Sequence, residues 1–64
     1  MISYKPLWET MEQKGISQYK LLQSGIDNRL LNALKNNKSI TLYNLEKICK
    51  LLECDIKEVV EFID

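Results

Sequence analysis

The chain of 64 residues has no histidine, and only two glycines, one proline and two cysteines. Without histidine, nothing supplies a base to activate a cysteine, serine or threonine nucleophile. The two glycines, Gly15 and Gly25, stand apart, so there is no glycine-rich loop to cradle a phosphate. The expectation is that the chain is not an enzyme. Cys49 and Cys54 match no paired-thiol zinc spacing and have no histidine to complete a ligand set, so no metal and no other cofactor is expected. Cys49 falls on the inward stripe of a helix and Cys54 follows that helix's end, which suits two reduced structural thiols. No apolar run approaches the ~18 to 20 residues of a membrane span. The start, "MISYKPLWE", lacks the charged and apolar regions of a signal peptide. A cytoplasmic location, with no membrane contact and no small-molecule ligand, is therefore expected.

What is present is enough for one small module over residues 1–64. Apolar residues make up 45% of the chain and charged residues 28%, a balance that fits a globular domain rather than a disordered segment. A chain this short buries only about 60% of the surface it exposes when unfolded, so its stability is expected to be modest. Formal net charge is +0, but the charges are unevenly placed. Residues 14–52 carry Lys14, Lys20, Arg29, Lys35, Lys38, Lys47 and Lys50 against only Asp27 and Glu46, a net charge of +5. Residues 53–64 carry Lys57 against Glu53, Asp55, Glu58, Glu61 and Asp64, a net charge of −4. The basic middle is suited to a polyanion; ordinary solvated charge is the alternative.

Local signals divide the chain into five short helices around a single core. Pro6 suits a first helical turn and Gly15 a left-handed end, with Leu7, Trp8 and Met11 as the apolar stripe between them. Ser17 caps a second helix, "QYKLLQS", which turns its Leu21 and Leu22 inward and ends at Gly25. Asp27 caps a third, closed by Asn36 and Asn37. Thr41 caps a fourth, "LYNLEKICKLLE", with Leu45, Ile48, Cys49 and Leu52 at helical spacing. Asp55 and Glu58 form an approximate capping box for a last helix bearing Ile56, Val59, Val60 and Ile63, although its β-branched residues would also suit a strand.

The third helix, in "DNRLLNALKNNK", has a polar front. At ~100° per residue Asn28, Asn32 and Asn36 fall within about 80° of one another. Arg29 lies beside Asn36, while Leu30, Leu31 and Leu34 take the other side. Asn costs about a few tenths of a kcal/mol per position relative to Ala, so a face built from it points to a use.

A helix, a glycine turn and a second helix with a polar outer face form the layout of a DNA-binding helix-turn-helix. The segment "KGISQYKLLQSGIDNRLLNALKNNKSITLYNLEKICKLLECDIKEVV" resembles the Cro/repressor-type (lambda repressor-like) helix-turn-helix domain, and is most similar to the small single-domain members from Gram-positive bacteria and their phages. The marks are "KGIS" between the first two helices, Gln18 opening the second, the turn "GI" at 25 and 26, and "LYNLEKICKLL". Two positions depart from the pattern: Gly25 follows Gln18 by one residue fewer than is usual, and Leu22 stands where the family prefers a small residue. The resemblance implies an all-α, five-helix lambda repressor-like bundle with its helix-turn-helix formed by helices 2 and 3, about residues 17–36.

It also implies a cytoplasmic, nucleoid-associated protein that binds double-stranded DNA in a sequence-specific way and regulates transcription, most simply as a repressor. Helix 3 would enter the major groove, with Asn28, Arg29 and Asn32 reading bases, since Asn pairs well with adenine and Arg with guanine. Backbone or phosphate contacts would fall to Gln18, Tyr19, Lys20, Lys35, Asn36, Lys38, Thr41, Tyr43 and Asn44. The alternative for these side chains is plain solvated surface. Val60, Phe62 and Ile63 exceed what one inward stripe hides, which suggests a homodimer on DNA with reading helices ~34 to 36 Å apart. A second functional class remains beside this one: a protein-interaction module of the same fold, an antitoxin or anti-repressor partner, with weak or no DNA binding.

Overall fold

A computed structural model describes residues 1–64 throughout. The chain opens with a short strand β1 (Ile2–Ser3), followed by four helices, α1 (Lys5–Lys14), α2 (Gln18–Gln23), α3 (Asn28–Lys35) and α4 (Leu42–Leu52). One turn of 3₁₀ helix (Ile56–Glu58) leads to a second short strand, β2 (Glu61–Phe62). No helix is long and apolar enough to cross a membrane.

Helix starts follow the side chains at their boundaries. Ser17 Oγ accepts the Lys20 N–H at 3.2 Å, Asp27 Oδ1 the Leu30 N–H at 2.8 Å, and Thr41 Oγ1 the Asn44 N–H at 3.1 Å. Each cap satisfies one of the amides that a helix leaves unpaired at its start. Pro6 lies in the first turn of α1, where a missing N–H costs nothing.

The helix ends share one device. In all four helices a residue of positive φ follows the last turn: Gly15 (67°), Gly25 (103°), Asn37 (54°) and Glu53 (53°). The amide after it reaches back to close the helix, Ile16 to Met11, Ile26 to Leu21, Lys38 to Ala33 and Cys54 to Cys49, at 2.9 to 3.1 Å. These are Schellman closures, which frequently bring an apolar pair of side chains together at the helix end.

The expectation of five helices is corrected to four. The capping box at Asp55 does form in part, with the Glu58 carboxylate accepting the Asp55 N–H at 3.1 Å. It starts only one 3₁₀ turn, because Val59 is then drawn fully into the core and the chain straightens. β2 pairs antiparallel with β1, Ile2 opposite Phe62 and Ser3 opposite Glu61. Met1 and Ile63 extend the ladder by exchanging backbone hydrogen bonds. A β-branched segment beside an available partner strand gains more from that ladder than from continuing a helix.

The core joins Leu7 and Met11 of α1, Leu21 of α2, Leu30, Leu31 and Leu34 of α3, and Ile48 and Leu52 of α4, together with Tyr4, Ile26 and Val59. Trp8, Leu22, Leu45 and Cys49 pack against it half-buried. Two polar side chains hold segments distant in sequence together, one joining the N-terminal end to the middle and the other joining the first helix to the C-terminal segment. The Tyr4 hydroxyl donates to the Lys38 carbonyl at 2.6 Å, and the Thr10 hydroxyl to the Glu58 carbonyl at 2.6 Å.

Candidate nucleic-acid interface

Between α2 and α3 the chain turns sharply, and every residue of the turn has a structural task. Gly25 takes the left-handed position, Ile26 plugs the core at 1% exposure, and Asp27 caps α3. Lys47 of α4 braces the turn from behind, its ammonium donating to the Gly25 carbonyl at 2.9 Å. At φ 103° a side chain at position 25 would be strained, so glycine is required there by the backbone.

The turn sets α3 on the bundle with Leu30, Leu31 and Leu34 inward and Asn28, Arg29, Asn32, Lys35 and Asn36 exposed. Asn28, Arg29, Asn32 and Lys35 border one shallow depression along the helix, so the three residues expected to read bases lie together. Arg29 also borders a second depression of about 430 Å³, between α3 and the start of α4, with Thr41, Asn44 and Lys47. Asn36, expected at the DNA backbone, is exposed and also bonded within the helix. Its amide nitrogen donates to the Asn32 carbonyl at 2.8 Å and to the Asn32 side-chain oxygen at 3.2 Å.

The remaining candidates are spread more widely. Gln18, Tyr19 and Lys20 occupy the exposed first turn of α2, with Tyr19 68% exposed. Lys38 is exposed just past α3, and Tyr43 is 74% exposed at the start of α4, outside the Thr41–Asn44–Lys47 depression. Lys47 was not among the residues singled out from the sequence. Its only signal is position, three residues after Asn44 on the same side of α4.

Electrostatics favour a polyanion on this side. The one ion pair in the chain joins Lys50 to Glu46 at 3.8 Å, and both are well exposed. Lys20, Arg29, Lys35 and Lys38 therefore carry uncompensated charge around α2 and α3, where a row of phosphates would meet it.

A short helix, a tight turn and a second helix capped by Asp27 and seated by leucines form the layout of a helix-turn-helix. The sequence profile of the Cro/C1-type HTH DNA-binding domain matches residues 6–64. The chain belongs to that family. Cro/C1-type domains bind DNA, and this chain shares their mostly helical helix-turn-helix fold. Among solved structures it is similar to the crystal structure of the transcriptional regulator VanUg (form II), with a TM-score of 0.87 and 26% identity over 94% of this chain and 81% of that one. No curated protein sequence matches it. The similarity in fold includes the helix-turn-helix, so neither the early Gly25 nor Leu22 prevents this Cro/C1-type chain from adopting the arrangement.

Proposed function

We propose that residues 1–64 act as one domain that regulates transcription by binding a specific double-stranded DNA operator with α3 in the major groove, and that it represses by occupying a promoter. The observation that carries this reading is the division of α3: leucines hold one face to the core, while Asn28, Arg29 and Asn32 share one open depression on the other. An Asn amide matches the N6 and N7 edge of adenine and a guanidinium the O6 and N7 edge of guanine, each pair being worth ~1 to 3 kcal/mol of discrimination. Similarity to a transcriptional regulator supports the regulatory role.

Phosphates flank the reading helix in this proposal. The depression between Arg29 and the start of α4 receives one, met by Thr41, Asn44 and the free amides of that helix end. Gln18, Tyr19 and Lys20 at the start of α2 meet another, with Lys35, Lys38 and Tyr43 at the edges. A symmetric dimer on a near-palindromic operator uses the apolar residues left exposed near the chain ends, Met1, Ile56, Phe62 and Ile63.

The test is selection from a randomised duplex pool at two salt concentrations, with Asn28→Ala, Arg29→Ala and Asn32→Ala in parallel. A recovered motif whose positions relax in those variants, with a log-log salt slope of roughly −0.9 per phosphate neutralised, supports the proposal. No enrichment at either salt refutes it and directs the search to a protein partner.

A further inference from the structure

The four Schellman closures differ in the residues they bond, which in α3 are Ala33 and the exposed Lys38. In α1 the paired side chains are Met11 and Ile16, and in α2 Leu21 and Ile26, the ordinary apolar contact of this motif. In α4 they are Cys49 and Cys54. The Cys54 N–H donates to the Cys49 carbonyl at 3.0 Å, and Glu53, left-handed at φ 53°, donates to Lys50 at 3.3 Å. Both thiols are free and half-buried. Each lies close enough to alter the other's ionisation, and they border the same two surface clefts, where small solutes reach them.

We propose that Cys49 and Cys54 form a reversible dithiol–disulfide site that closes covalently over the end of α4. A disulfide needs two neighbouring Cα atoms with converging Cβ directions. The backbone bond from Cys54 to Cys49 brings the two Cα atoms near each other, and the thiols lie close enough to act on one another's ionisation, the approach that the second condition needs. The other half of the exchange is a small organic disulfide such as oxidised glutathione. One cysteine, as thiolate, attacks a glutathione sulfur and releases one glutathione thiol. The second cysteine displaces the remaining glutathione, leaving the intrachain S–S bond. Two protein thiols are oxidised, one external disulfide is reduced to two thiols, and the cysteine protons pass to the departing sulfurs.

The surroundings set the pace. Burial raises both thiols above their ordinary range, and Asp55 and Glu58 raise Cys49 further. For Cys54, Glu58 acts in the same direction and Lys14 against it. Glu46, Lys50 and Glu53 complete the charged rim of the cleft. Both cysteines are therefore protonated at neutral pH, so closure is slow there and quickens as pH rises. The site is also separate from the proposed DNA face: Cys49 lies about 160° around α4 from Lys47, which holds the helix-turn-helix turn.

The experiment equilibrates the folded chain with mixtures of reduced and oxidised glutathione, quenches with acid, alkylates and weighs the products. The expected end state is a monomer lighter by two hydrogens with neither cysteine alkylated. Cys54→Ser is expected to stop at a glutathione adduct on Cys49. The closed form should melt at a higher temperature than the reduced form, with unchanged helical circular dichroism. Glutathione adducts or disulfide-linked dimers as the wild-type end state would overturn the proposal. So would a closed form that appears only in denaturant, or one that melts lower.

Discussion

Replacing Asn36 by Ala separates two roles that a polar residue on a recognition helix can have. If Asn36 contacted phosphate, its loss would weaken binding to every duplex alike. In the free protein its amide nitrogen bonds Asn32, at 2.8 Å to the carbonyl and 3.2 Å to the side-chain oxygen, which offers a second, positioning role. That second bond fixes which way the Asn32 amide points, leaving its nitrogen and one oxygen lone pair turned outward for a base edge. Without Asn36, the Asn32 side chain recovers its rotamers and must be ordered again on each binding event. Ordering a side chain costs ~0.5 to 1.5 kcal/mol, which is a loss of roughly 2- to 12-fold in affinity. The expected outcome for Asn36→Ala is that loss on the selected operator and almost none on a scrambled duplex, measured by fluorescence anisotropy of both. In an Asn32→Ala background the second substitution should add nothing, since the group it positions is gone. Equal weakening on both duplexes would refute the positioning role and restore a phosphate contact.

Three stability predictions rest on other contacts. Tyr4→Phe removes the hydroxyl that donates to Lys38 at 2.6 Å, at a cost of about 1 to 2 kcal/mol, or a fall in Tm of roughly 4 to 16 °C by calorimetry; an unchanged Tm would refute the bond's contribution. Glu53→Gly relieves a left-handed residue at φ 53° and should stabilise by about 0.5 to 1 kcal/mol. Asn37→Gly at φ 54° should destabilise instead, because Asn37 Oδ1 accepts the Tyr4 N–H at 3.0 Å; urea midpoints of the pair test the contrast. Burial raises Cys49 and Cys54 above 9.0 and Tyr4 above 10.0, so the folded state holds these protons after the unfolded chain releases them. Stability should therefore fall as pH rises from about 9. The double variant Cys49→Ser with Cys54→Ser should flatten the first part of that fall and leave the tyrosine part; a pH-independent difference from wild type would contradict the assignment.

Helix starts were legible because capping is local chemistry. Ser17, Asp27 and Thr41 each bond an amide three residues on, well within the window that sequence displays. Gly15 and Asn37 as helix ends were legible for the same reason. Glu53 was not, because nothing in an acidic residue announces a left-handed conformation; the closure of α4 on Cys49 imposes it. The last element failed at longer range. Asp55 and Glu58 gave a true start signal, but what stopped the helix was β1, at the opposite end of the chain. In the site, the polar face of α3 followed from period alone, whereas the bond between Asn36 and Asn32 required knowing which rotamers meet. The Lys47 brace was hidden because it crosses from α4 to a turn far upstream.

That brace explains why a turn shorter than the family pattern leaves the fold undisturbed. Gly25, Ile26 and Asp27 finish one helix, seal the core and begin the next, so no residue is left over to act as slack. Such a turn would be intolerant of shifts between α2 and α3 unless something held its outer carbonyl, and the Lys47 ammonium does so with a charge-assisted bond at 2.9 Å. The same lysine borders the depression shared by Arg29, Thr41 and Asn44. The start of α3 and the start of α4 are thereby tied to one point. If a phosphate enters that depression, as proposed, it meets a cleft whose two walls are already fixed relative to the reading helix. The register of α3 on DNA would then be set by rigid geometry, with little ordering left to be done on binding.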